Sequence, residues 1–160
     1  MRSQCSAVAI VASCLLLLGA TREASQRGSV MQRATGSFDV VLKPLEAYAK
    51  AETPLLGRMS LNKQFHGDLE GTSIGEMLTG MTDVKDSGVY VAVERFSGTL
   101  AGKRGTFILH HMGLMERGAQ KLSINIVPDS GTGELVGISG SMAIDIRDGK
   151  HSYTLEYPLK

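Results

Sequence analysis

The chain has 160 residues, a formal net charge of +1 and two cysteines. That length bounds one domain, and a near-balanced charge with no basic run or aromatic-interleaved patch argues against nucleic acid and membrane surfaces as partners. Cys5 and Cys14 both precede residue 31, so the remainder of the chain has no disulfide, thiol nucleophile or cysteine-ligated metal.

Arg2 and the apolar run from Cys5 to Ala20, with Leu15 to Leu18 inside it, have the make-up of a signal peptide and are short for a membrane span. Leu18-Gly19-Ala20 is a poor cleavage signal, because a bulky Leu sits three residues before the cut. Val11 to Cys14 resembles a lipoprotein box, but Leu15 to Leu18 lie beyond it. Met31 directly precedes the first strand-like residues. Residues 1–30 therefore read as a signal peptide or as a mis-called N-terminal extension, and 31–160 as a β-barrel domain. Export (periplasmic or secreted) follows if the leader is real, a cytoplasmic protein otherwise. No membrane span is expected in the mature domain.

From there a strand period dominates. Gly36 to Lys43 reads as the first strand and Pro44 as its end, with a connection to Pro54 that has room for a helical turn over Leu45 to Ala49. In Arg58 to Gly71, Met59, Leu61, Phe65 and Leu69 alternate with polar residues, which predicts one long strand bending at Gly67. Further strands are expected over Ile74 to Met81, Gly88 to Ser97, Thr106 to Met115, Leu122 to Val127, Ser139 to Arg147 and His151 to Tyr157. Asp148-Gly149 is a hairpin turn between the last two. Gly131 to Gly137 lacks the spacing, helix and lysine of a phosphate loop and reads as a glycine-rich corner. Sequential hairpins and glycines within strands predict an all-β fold: a single closed antiparallel up-and-down barrel of about eight strands.

Two residues break the alternation. Lys63 falls between Leu61 and Phe65 on an apolar face, and His111 between Leu109 and Met115 on the face that begins at Phe107. Ionisable groups there are expensive unless paired, which marks them as candidates. Glu94 shares a face with Tyr90, Ala92 and Phe96, so Lys63, Glu94 and His111 can meet in one lumen. If the Val89, Val91 and Val93 side faces inward instead, Arg95 replaces Glu94. The bland alternative is a salt bridge that holds the barrel's register. Catalytic candidates are thus Glu94 and His111. Ligand-binding candidates are Lys63 or Arg95 for an acid group, with Leu61, Phe65, Phe107, Leu109 and Met115 lining the lumen. His66 and Asp68 lie two apart on one face, with His110 or His151 as further ligands, but without metal-site spacing they read as a solvated surface; no metal or cofactor is expected.

The segments Arg58 to Glu70, Tyr90 to Arg95, Phe107 to Met115, Val127 to Leu135 and Gly149 to Tyr153 together resemble a bacterial domain-of-unknown-function family with an allene-oxide-cyclase-like barrel. The resemblance covers nearly everything after Met31, where members of that family are expected to begin. It implies a closed antiparallel barrel, often oligomeric, and no activity. Plant allene oxide cyclases share that barrel and convert an unstable fatty-acid epoxide in an apolar lumen. No stretch matches them closely enough to carry over catalytic residues. The expectation is a barrel that binds a small apolar or carboxylate ligand. An isomerase or cyclase, and a non-catalytic oligomeric module, are the alternatives.

Overall fold

Residues 30–47 and 56–159 are described in the computed structural model, and among them are nine strands and no helix. The strands are β1 (Val30–Leu45), β2 (Leu56–Gly67), β3 (Leu69–Met81), β4 (Gly88–Leu100), β5 (Lys103–Glu116), β6 (Ala119–Ile126), β7 (Thr132–Gly133), β8 (Ser141–Arg147) and β9 (Lys150–Leu159). Antiparallel pairing runs β4-β3-β2-β1-β9-β8-β6-β5, and a β4–β5 ladder closes the ring. The result is an eight-stranded up-and-down barrel, with the two-residue β7 added beside Gly105 and Thr106 of β5. Residues 1–29 of the leader and residues 48 and 49 of the expected helical turn lie outside the described residues; of that turn, Leu45 is still in β1 and Glu46 and Ala47 are in neither helix nor strand.

Two expectations about strand ends need correction. Pro44 does not end β1, which continues to Leu45. Beyond the Phe38–His151 pair β1 has no β9 partner, so a residue without an N–H is tolerated on that open side. Arg58 to Gly71 is not one bent strand either. The chain reverses around Asp68, with Phe65 brought opposite Gly71. Gly67, at φ 109°, takes a backbone shape that side chains disfavour. The Asp68 carboxylate accepts the Thr35 N–H at 2.7 Å, and the Tyr153 hydroxyl accepts that of Leu69 at 2.7 Å. Because Phe65 and Leu69 both still point inward, the alternation runs through the reversal and conceals it.

The barrel interior is divided lengthwise. One half is packed solid by aromatic rings: Phe65 meets Phe96 edge-on at 5.7 Å and Tyr153 at 5.6 Å, and Phe96 lies 4.9 Å from Phe107. Leu69, Leu100, Leu135 and Leu155 complete this plug, all fully or nearly fully buried. Each such side chain contributes about 1.5–3 kcal/mol on burial, so this half holds the wall together. The other half is open. There Ser141–Asn125 is the single ladder pair between β8 and β6, so the tip of the β8–β9 hairpin is held mainly by its own ladder.

Candidate functional site

At the boundary between the two halves, four consecutive strands each contribute one polar side chain to the interior. They are Lys63 of β2, Ser73 of β3, Glu94 of β4 and His111 of β5, all buried. Their registers make this meeting possible: Lys63 pairs with Ser73, Gly75 with Glu94, and Ala92 with His111. Gly75 has a particular part in it, since a Cβ there would stand 2.7 Å from Glu94 Cβ. The missing side chain is the space that Glu94 uses.

Glu94 is the hub. Its Oε1 accepts hydrogen bonds from Lys63 Nζ at 2.7 Å and from His111 Nε2 at 2.8 Å, and its Oε2 accepts one from the Ser73 hydroxyl. Burial pushes the carboxyl upward. The hydrogen bond from His111 and the Lys63 ammonium more than offset that, and hold it down at about 2. An ionised carboxylate offers only acceptors, so His111 Nε2 carries a proton and Nδ1 is the ring atom left for a guest. Lys63 Nζ also stands 4.8 Å from the centre of the Phe38 ring, a cation–π contact. Tyr90, on the same face as Glu94, has its phenol pKa raised by burial and then by the Glu94 charge.

Above this floor lies a cavity of about 350 Å³. Lys63 and His111 line its base; Leu61, Met77, Tyr90 and Met115 are among the residues of its walls. Glu94 is not in the lining, because its carboxylate is fully covered by its three donors. At the open end Leu122 and Ile146 remain exposed while lining the cavity, beside the loosely attached hairpin.

The candidates named from the sequence therefore separate, with Lys63, Glu94 and His111 brought together and Leu61 and Met115 on the cavity wall. Phe65, Phe107 and Leu109 are not at the cavity; they belong to the packed half, where ring stacking and 0% exposure leave no room for a guest. Arg95 is on the outer face, within reach of the Thr106 hydroxyl at 3.4 Å, because the alternation that turns Glu94 inward turns Arg95 out. His66 and Asp68 point to different tasks. His66 stands on the surface near Asp39 (3.5 Å), while Asp68 holds the β1 backbone. Among the described residues no three His, Cys, Asp or Glu side chains come together to hold a metal ion. Ser73 went unrecognised in the sequence, since a small uncharged residue on an apolar face carries no signal of its own.

The family model for "Protein of unknown function (DUF3224)" matches residues 34–157. The chain belongs to the DUF3224 family. A solved DUF3224 structure from Shewanella oneidensis MR-1, described as a protein with unknown function, is 47% identical. The match covers 82% of this chain and 98% of that one, with a TM-score of 0.77. No curated protein matches the chain. In this DUF3224 barrel the polar cluster and the cavity thus sit on a family fold to which no activity is attached.

Proposed function

We propose that this DUF3224 barrel binds a small amphipathic molecule, with an apolar chain in the open half and an oxygen-bearing, anionic head on the Lys63 ammonium, beside His111. The observation that carries this reading is the apolar cavity whose base is a lysine and a histidine already backed by a buried carboxylate. Glu94 is fully occupied by its donors, so it is not left to hold a cationic head. Lys63 uses one of its three N–H groups on Glu94, which leaves donors for a carboxylate. A hydrophobic site of about 150 Å³ takes benzene, so a cavity of about 350 Å³ suits roughly 14 heavy atoms, the size of a ten- to twelve-carbon acid.

A second reading, an isomerase or cyclase, is favoured by the 2.8 Å Glu94–His111 contact. A carboxylate that fixes one ring nitrogen leaves the other as a general base. In that case His111 Nδ1 takes the substrate proton and Glu94, held near 2, stabilises the imidazolium. Glu94 itself is too acidic and too enclosed to be the base.

Native mass spectrometry of protein purified from its own host tests the binding reading. It predicts a co-purifying carboxylic acid of that size, or stoichiometric uptake of added decanoate. A protein that stays at its bare mass in both experiments overturns it.

A further inference from the structure

One ionisable side chain at the cavity has no part in the polar cluster. His151 of β9 comes two residues before Tyr153 and four before Leu155, both buried in the interior, so the strand alternation turns its imidazole inward as well. It lines the cavity that Lys63 and His111 floor. Its cross-strand neighbours are apolar, Phe38 on β1 and Ile146 on β8, and its ring rests on the Phe38 ring with centres 5.0 Å apart. Among the described residues no group donates a hydrogen bond to this imidazole or accepts one from it. Half-buried, it meets that need with water. A guest that fills the cavity displaces the water, and leaves the ring unpaired unless it brings a polar group of its own.

We propose that His151 is a second anchor in the cavity, and that the ligand is a 3-hydroxy carboxylic acid with its acid group on the Lys63 ammonium and its hydroxyl on His151. This rests on the amphipathic-acid reading above and narrows it. Both protein groups lie against one aromatic ring: Lys63 Nζ stands 4.8 Å from the centre of Phe38, and the His151 ring 5.0 Å from it on the neighbouring strand. A hydrogen bond of about 2.8 Å at each end leaves only a few ångströms between the two ligand oxygens. A hydroxyl on the third carbon spans that gap, and one at the far end of the chain does not. The hydroxyl also suits the ring, because a neutral imidazole has one donor and one acceptor nitrogen and a hydroxyl pairs with either. The rest of the chain meets Val40, Leu42, Leu61 and Met77 on the apolar walls. With acid, hydroxyl and chain each held, the two mirror-image forms of the ligand fit unequally.

Calorimetric titration of the full chain tests this. One enantiomer of 3-hydroxydecanoate should bind at least tenfold more tightly than the other enantiomer and than decanoate, since a site that pairs a ligand hydroxyl discriminates against analogues that lack or misplace it. For the same reason 10-hydroxydecanoate should show no gain over decanoate. His151→Leu should lose both preferences, and His151→Gln, whose amide also pairs with a hydroxyl, should keep part of them. Decanoate that binds while neither form of the hydroxy acid binds more tightly overturns the second anchor and leaves the acid reading standing. A preference that survives His151→Leu overturns it too, because the Tyr90 hydroxyl or His111, which also border the cavity, then holds the ligand hydroxyl. Failure of the wild-type protein to bind any of these acids overturns both readings.

Discussion

Glu94 sits with 0% side-chain exposure, yet it stays ionised because three donors converge on it. Folding lowers its pKa from 4.5 to about 2, so the fold prefers the carboxylate. That stabilisation is fully present above about pH 4.5, is lost as pH falls toward 2, and amounts to on the order of 3 kcal/mol. Denaturant titrations across this window should show wild-type stability falling more steeply than that of Glu94→Gln; parallel profiles would contradict the assignment. At neutral pH, Glu94→Gln leaves the Lys63 ammonium buried without its counter-charge, and a loss of about 3–5 kcal/mol is expected from its denaturation midpoint. Lys63 and His111 were legible in the sequence because charge on an apolar face is conspicuous. Which of Glu94 and Arg95 faces in was not, since both alternations on β4 are apolar: Tyr90, Ala92 and Phe96 on one side, Val89, Val91 and Val93 on the other. The valines that caused this ambiguity are exposed on the outer wall.

Strand β3 supplies space to the site as much as chemistry. A Cβ at Gly75 would lie 2.7 Å from Glu94 Cα and Cβ and still closer to the Val93 carbonyl, so β3 and β4 would have to part. Gly75→Ala should therefore destabilise by about 2 kcal/mol or more, the scale of an overpacked core, and should also weaken ligand binding by displacing Glu94. Equal stability to the wild type would show that the wall yields there. The opposite side of the cavity behaves differently. With Ser141–Asn125 the single ladder pair between β8 and β6, amides of residues 142–147 should exchange by local opening well before those of β2 to β5. Exchange at the same rate throughout would contradict that. Most strands were readable from period two together with the turn residues between them. The reversal at Asp68 was not, because a turn that preserves the inward phase of Phe65 and Leu69 leaves the pattern intact.

At the scale of the whole barrel, closure and the up-and-down order follow from consecutive hairpins, and both could be read from turn residues such as Asp148-Gly149. The unequal filling of the two halves could not. It depends on which inward residues fall at which height: Phe65, Phe96 and Phe107 pack at one end, while Ala92, Gly75 and Gly113, all small, lie toward the other. Such height matching is a property of register, and no single strand contains it. From it comes the cavity, and from the cavity the binding reading. The most direct test of that reading is calorimetric titration of the protein with decanoate, decylamine and hexadecanoate, repeated on Lys63→Met with decanol as a neutral control. Wild-type protein should bind decanoate at one site per chain and neither decylamine nor hexadecanoate comparably, and Lys63→Met should lose decanoate at least tenfold while keeping decanol, a loss of about 1.4 kcal/mol or more. Equal binding of the amine and the acid, or decanoate affinity unchanged by Lys63→Met, would contradict the account.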